Sequence, residues 1–429
     1  MNYILAILGF GLLVIVHELG HYILARINKV RVEDFSIGFG PAIFTYKGKE
    51  NNFTLRLFPI GGYVQMDHGE EGKEEEGTFL SKTPFRRFTI IIAGVIMNFL
   101  LAVLLFSIYT AHMGYTENSI DRLNLQSLTI ESFEENSVLK EAGLKEGDRI
   151  IGYNNIGIST VYGLEEVLKE SKGEDITINY YRDDKSIKEK DRQKKVKVSP
   201  KYDEKNREFT LGVKFEDIES AAQIAGLKPG DKITKFNGKS LWTADDYSME
   251  AGTLTKDTVT LEIERDGETK TVDVKPLYRK EDKAYYLGFI FKSVEDPTIK
   301  QSITQSVKEC GTLVKQTFKA IGKLVTGKGN FKTDVGGPVS IVKLSATAAQ
   351  SGIWSLTWLI AYLSISLAVF NALPLPVLDG GTALIILIEM ISKKKVPAKI
   401  QNAINTVAFI LLMILMVVVT IKDILFPII

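Results

Sequence analysis

The residues best suited to chemistry are His17, Glu18 and His21, in the stretch Ile15-Val16-His17-Glu18-Leu19-Gly20-His21-Tyr22-Ile23. On a helix, positions four apart lie about 40° apart around the axis, so the two histidines share one face. Two imidazoles at that spacing can hold one zinc ion. A glutamate beside them can take a proton from water activated there. The stretch sits in an apolar run that starts at Tyr3. Ionisable groups inside a membrane helix are expensive, so these must face a protein interior or a wet cavity. The competing explanation is a pair of buried, satisfied histidines. Only four histidines occur in the chain, and two fall here with the glutamate in place.

The helix that carries them, residues 1–28, is long enough to cross a hydrocarbon core of roughly 30 Å. His17 lies about 20 Å along it, near the far end. Met1-Asn2-Tyr3 offers no basic n-region, and Arg26 and Lys29 follow the run where a cleavage site would be. We therefore expect a retained span and no cleaved signal. Three further apolar runs, at 87–112, 353–381 and 404–426, predict four spans in all. The second contains Gly94 and Asn98, four apart, which read most simply as close helix packing with an interhelical hydrogen bond. The third ends in Asn371-Ala372-Leu373-Pro374-Leu375-Pro376-Val377-Leu378-Asp379-Gly380-Gly381. Two prolines two apart must break a helix, and an aspartate at that depth needs a partner.

Basic residues cluster at Arg26, Lys29 and Arg31, at Lys82, Arg86 and Arg87, and at Lys393, Lys394, Lys395 and Lys399. Four spans place all three clusters on one side, which positive charge marks as cytoplasmic. The first and third spans then both run inward and carry their polar motifs at their inner ends. Asp379 is the best third zinc ligand on that geometry, with Glu389 as its closest rival. Glu33, Asp34 and Asp423 lack the broken-helix context.

Net charge of +1 over 429 residues argues against a nucleic-acid footprint, and one cysteine, Cys310, excludes a disulfide framework. Residues 29–86 form a cytoplasmic-side loop with alternating strand patterns at Val30-Arg31-Val32 and 52–57 and turn chemistry at 38–41 and 59–62. The acidic stretch 67–77, with His68, reads as a solvated, mobile loop. Between spans two and three lies a repeat. Ala142-Gly143-Leu144-Lys145-Glu146-Gly147-Asp148-Arg149-Ile150 recurs 83 residues later as Ala225-Gly226-Leu227-Lys228-Pro229-Gly230-Asp231-Lys232-Ile233. Each copy is followed by strand and helix patterns and closes on a Leu-Gly step, at Leu211-Gly212 and Leu287-Gly288. Residues 183–197 read as an exposed charged hairpin. Within 300–350, the stretch 302–326 is amphipathic and basic, suited to lying on a membrane or bracing the repeat, and Gly336-Gly337-Pro338 breaks the chain after it.

The repeat resembles a tandem pair of PDZ domains, at 125–205 and 206–292. The terminal Leu-Gly strand is similar to the circularly permuted bacterial form. The whole pattern resembles the site-2 protease family, and within it the bacterial regulator-of-sigma-E protease branch. His-Glu-x-x-His in the first span and Asn-x-x-Pro-x-x-x-Leu-Asp-Gly in the third carry the resemblance, as do Val32-Glu33-Asp34-Phe35-Ser36-Ile37-Gly38-Phe39-Gly40 and Ile60-Gly61-Gly62-Tyr63-Val64. The resemblance implies a multi-pass α-helical membrane protein with four spans and the PDZ pair between the second and third. It implies an intramembrane zinc metalloprotease in which His17, His21 and Asp379 bind Zn2+ and Glu18 is the general base. Asn371, Pro374 and the segment Gly61-Gly62-Tyr63 would bind an unwound substrate. The substrates would be single-span membrane proteins in the lipid bilayer, such as anti-sigma factors or remnant signal peptides, already trimmed by a first protease. The PDZ pair would filter them by size. The location implied is the bacterial plasma (inner) membrane, with the active site toward the cytoplasm and the PDZ pair and both termini on the periplasmic or extracellular side. The alternative is a membrane-tethered PDZ peptide-binding protein with an inactive or structural metal site.

Overall fold

The structure is a computed structural model that describes residues 2–69, 75–123, 125–154, 156–158, 161–184, 186, 192–218, 220–279, 283–330 and 335–426. Parts of the acidic stretch 67–77 and of the charged stretch 183–197 lie outside the described residues. The chain divides into two compact units, residues 1–115 with 294–429, and residues 116–293.

The first unit opens with α1 (Asn2–Ile27), then two long strands, β1 (Val32–Lys47) and β2 (Asn52–Met66), and α2 (Pro84–Met113). The strands overturn the short-strand expectation for residues 29–86. The glycines and prolines expected to make turns lie inside the strands, where Gly38, Gly40 and Gly61 take positive φ of 87°, 87° and 95°. Glycine inside a strand marks a bulge as readily as an end. The bulges fold the pair on itself. Asp34–Ile37 pairs with Asn52–Leu55 on one side and with Gly62–Gln65 on the other. Gly62–Gln65 is thereby laid beside α1, against which β2 packs.

The second unit starts with β3 (Tyr115–Arg122) and β4 (Leu125–Phe133). Next come α3 (Val138–Glu141), β5 (Arg149–Tyr153), β6 (Ile156–Gly157), α4 (Val161–Ser171), β7 (Ile176–Tyr181), β8 (Gln193–Val198), β9 (Lys201–Asp203), β10 (Glu208–Thr210) and β11 (Val213–Ile218). The same order follows in α5 (Ala221–Ile224), β12 (Lys232–Phe236), β13 (Lys239–Ser240), α6 (Ala244–Ala251), β14 (Val259–Arg265), β15 (Glu268–Val274), β16 (Leu277–Arg279), β17 (Ala284–Tyr286) and β18 (Ile290–Val294). One sheet runs β11-β4-β5-β7-β8 and the other β15-β14-β12-β3-β18. The sheets do not divide at residue 205. β11, placed by sequence in the second copy, completes the first sheet, and β3, ahead of both copies, completes the second. The Leu211-Gly212 step marks β11 as the close of the first copy, whatever the boundary at 205, but alternation does not name a strand's partner, so the place of β3 was not legible. Each sheet has its own core, one around Ile130, Leu139 and Ile178, the other around Ala222, Ile233 and Leu261.

The repeat is reproduced bond for bond. Arg182 forks onto Asp148 and Arg265 onto Asp231, while Asn154 and Asn237 accept from the Thr177 and Thr260 backbone N–H at 2.8 Å. Burial alone would raise the Asp231 carboxyl, but bonds from Arg265 and the Lys228 N–H outweigh it and hold it below its ordinary value. A carboxyl lowered on folding stabilises the fold above its ordinary value and loses that contribution as pH falls below about 4. Asp231→Asn is expected to lower stability near neutral pH by about 1–3 kcal/mol. The gap to wild type should close in acid, read as thermal midpoints of the full chain across pH. An unchanged midpoint at neutral pH would deny the pair its role.

The chain returns to the first unit through α7 (Ile299–Val325), α8 (Pro338–Ser351), α9 (Ile353–Ala372), α10 (Asp379–Ser392) and α11 (Ala398–Leu425). Among the described residues, four helices are long and apolar enough to cross a membrane: α1, α2, α9 and α11. The basic amphipathic stretch forms α7 and packs one face on the apolar helices. Cys310 and Leu313 of α7 are buried with Ala102 and Phe106 of α2 and Ala361 and Ile365 of α9. Burial, with Glu309 nearby, pushes the Cys310 thiol up to about 12, as suits an inert packing residue. Gly336 and Gly337 interrupt the helical course as expected, and Pro338 opens the next helix. Pro338 takes the N-terminal position, where its missing N–H costs nothing, and Asp423 of α11 accepts from the Gly337 and Ser340 N–H groups.

Candidate metal centre

His17 and His21 project from one face of α1 onto a stripe of α2 made by Ile90, Gly94 and Asn98, four residues apart. The two helices approach closely because both present glycine. A Cβ on Gly20 would lie 2.5 Å from the Ala93 carbonyl oxygen. A Cβ on Gly94 would lie 2.6 Å from His21 Nε2, 2.7 Å from His17 Cε1 and 2.8 Å from His17 Nε2. The imidazoles thus occupy the space that a side chain at residue 94 would need. His21 Nδ1 lies 2.9 Å from the Ile90 carbonyl oxygen, which can only accept. His17 Nδ1 lies 3.3 Å from the Asn98 amide.

The third arm comes from the broken end of α9. After Ala372 the chain turns through Pro374 and Pro376, and α10 starts at Asp379. The turn is so tight that a Cβ on Gly380 would lie 2.2 Å from the Leu373 carbonyl oxygen, and one on Gly381 2.1 Å from that of Leu375. Val377, a β-branched residue, is held at φ 78°, a strained conformation that costs about 1–3 kcal/mol. The turn delivers Asp379 Oδ2 to 3.1 Å from His17 Nε2 and 3.4 Å from His21 Nε2, with the two Nε2 atoms 3.3 Å apart. Oδ2 is buried without an aligned hydrogen-bond partner among the described residues. Neighbouring donors on a tetrahedral zinc with bonds of about 2.0 Å are about 3.3 Å apart. The triangle fits that edge, and the set leaves the fourth position open.

The remaining acids near the spans have other partners. Glu389 lies buried against Arg87, Oε2 to Nη2 2.7 Å, and also accepts from the Val396 N–H. Asp34 accepts from Ser36, Thr54 and Arg56, and Asp423 caps α8. Among the described residues, the cluster of His17, His21 and Asp379 is the group able to hold a metal ion.

Glu18 stands beside this triangle and outside it. Its carboxylate accepts from the Val64 backbone N–H of β2. A Cβ on Gly62 would lie 2.8 Å from the Ser36 carbonyl oxygen and 3.5 Å from Glu18 Cγ, so the strand touches Glu18 through a glycine. Tyr63 instead accepts from Arg56 at 2.6 Å, and Pro374 is exposed in the turn. Asn371 Nδ2 lies 3.4 Å from His17 Nε2. Sequence reasoning missed the contribution of the Ile90–Gly94–Asn98 stripe to the histidines. The four-residue spacing was visible, but it signals packing just as well.

Residues 5–415 match the profile of peptidase family M50. The chain belongs to peptidase family M50, the site-2 proteases. Its M50 relatives include the zinc metalloprotease homologue CPE1693 of Clostridium perfringens, 35% identical over the full length of both chains. The zinc metalloprotease RasP of Geobacillus kaustophilus is 29% identical over 97% of this chain and 96% of its own. The regulator of sigma-E protease RseP of Escherichia coli is 28% identical over 96% and 95%. This M50 chain is a multi-pass membrane protein and a zinc metalloprotease.

Proposed function

We propose that the protein cleaves single-span membrane proteins within or near the bilayer, after a first protease has trimmed them. Anti-sigma-factor-like proteins and remnant signal peptides fit that class. The observation that carries this reading is the convergence of His17, His21 and Asp379 on one point at the end of an apolar helix long enough to span. These three residues would hold zinc, which supplies Lewis acidity to a substrate carbonyl and to water. Glu18 would take the proton of the attacking water and deliver it to the departing amide nitrogen. A helical substrate hides its carbonyls in its own hydrogen bonds and must be unwound first. The edge Gly62–Gln65, paired on its other side with Asp34–Ile37, would take the unwound segment as an added strand, and Asn371 would hydrogen-bond its backbone. Gly61, Tyr63 and Pro374 would shape that groove.

We read residues 125–292, completed by β3 ahead of them, as the circularly permuted PDZ pair, with β11 in the first sheet and β3 in the second. The position of β11 and β18 at sheet edges, each just after a Leu-Gly step, supports this. The pair would select against substrates with a bulky outer domain. The plasma membrane, with the site toward the cytoplasm and the pair outside, follows from the basic clusters.

The test is cleavage of a single-span substrate, with and without a folded outer domain, by the purified full chain in detergent. The short form alone should be cut. Cleavage of both forms would remove the filter, and cleavage of neither by zinc-loaded protein would remove the proposed substrate class. Asp379→Asn should weaken zinc binding by at least about 100-fold, whereas Glu389→Gln should retain it. The reverse result would transfer the ligand role.

A further inference from the structure

We infer that Asn98 is a positioning residue for His17: its amide oxygen accepts from His17 Nδ1–H and so keeps Nε2 free to bind metal. The inference rests on the zinc assignment of His17, His21 and Asp379.

Asn98 is 0% exposed, and the buried residues nearest it on the helix, Gly94, Leu101 and Ala102, are apolar or glycine. Packing alone would be served by leucine. One end of the amide lies 3.3 Å from His17 Nδ1, and the other end is buried with no hydrogen-bond partner among the described residues. A buried amide with one end unpartnered is costly, so the contact at the ring must account for its presence. The amide nitrogen and oxygen have nearly the same shape, so the chemistry of the ring decides which one faces it. If Nδ2 faced the ring, Nδ1 would have to accept, and the ring proton would sit on Nε2. That proton would point at the atoms with which Nε2 must share a metal, His21 Nε2 and Asp379 Oδ2. If Oδ1 faces the ring, Nδ1 carries the proton and Nε2 keeps its lone pair. His21 is already arranged this way, with its Nδ1 on the Ile90 carbonyl oxygen.

The stripe on α2 therefore offers one acceptor to each histidine, on either side of the glycine that makes room for the rings. Such outer partners fix the tautomer and orientation of ligating histidines. Asn98 is itself held from a third helix. Ser364 Oγ of α9 donates to the Asn98 carbonyl oxygen at 2.8 Å, which fastens this turn of α2 where α9 leads to Asp379.

The experiment compares wild type, Asn98→Leu, Asn98→Asp and His17→Ala as full chains in detergent. Zinc affinity is read by competition with a chromophoric chelator and folding by the thermal midpoint of the zinc-free protein. Asn98→Leu should bind zinc about 10- to 100-fold more weakly, with no loss of midpoint. Asn98→Asp, which restores an acceptor, should stay within about threefold of wild type. Wild-type affinity in Asn98→Leu, or equal weakening in both variants, would overturn the inference. If Asn98→Leu does not fold, the 15N spectrum of histidine-labelled, zinc-loaded wild type decides. His17 bound through Nε2 with a proton on Nδ1 supports it, and the opposite tautomer sinks it. Undiminished zinc affinity in His17→Ala would instead remove the metal assignment itself, and this inference with it.

Discussion

Replacing Gly94 by alanine is expected to strip zinc from the protein while leaving its helices in place. The added Cβ would lie 2.6–2.8 Å from three ring atoms, two of them the Nε2 atoms that face Asp379. Contacts that short do not occur, so the rings or the helices must move. The helices cannot easily separate, because Gly20 seats α1 against the Ala93 carbonyl over the same stretch. The rings must therefore turn, and each would leave its acceptor on α2 as it did so. We expect zinc affinity to fall by at least about 100-fold, which is about 2.7 kcal/mol. Overpacking should also lower stability by about 1–3 kcal/mol. Chelator competition and a thermal midpoint separate the two effects. A Gly94→Ala protein that binds zinc as wild type does would mean that the rings are not held where α2 places them.

Glu18→Gln should do the opposite, keeping zinc and losing proteolysis. Glu18 is outside the ligand triangle, so the three donors are untouched. Glutamine also keeps a carbonyl oxygen to accept from the Val64 N–H, so the edge of β2 should stay in place. What it cannot do is take a proton from water at neutral pH. General-base catalysis contributes about 10²–10⁴-fold, so cleavage of the trimmed substrate should fall by that factor, about 3–5 kcal/mol. The comparison needs zinc content and cleavage rate measured on one preparation. A glutamine variant with wild-type activity would move the base elsewhere, and one that lost zinc would put Glu18 among the ligands.

The amino-acid sequence determined the parts of this site that are local. His17, Glu18 and His21 lie within five residues, and helical periodicity alone puts both imidazoles on one face. Four apolar runs predicted the helices, and the prolines at 374 and 376 predicted the break that starts α10 at Asp379. The offset of 83 predicted two like copies, and in the structure the Asp148–Arg182 and Asp231–Arg265 forks recur at that offset.

The non-local parts were decided only in three dimensions. Asp379 and Glu389 both lie on α10, and sequence left them as rivals. The fold decides between them because Arg87 of α2 occupies Glu389 at one end of the helix while the glycine turn aims Asp379 at the histidines from the other. Gly94 and Asn98 read as ordinary packing until another helix brought imidazoles against them. The place of β3 in the second sheet could not be foreseen, since a strand's own alternation is satisfied by either sheet. Nor could the bulged course of β1 and β2, where glycines that look like turn ends let the strand bend back and bring Gly62 and Val64 to Glu18. Sequence specifies which groups are present and how each segment pairs with itself. Which groups meet depends on close approaches between segments far apart in the chain, and those exist only once the helices and strands have packed.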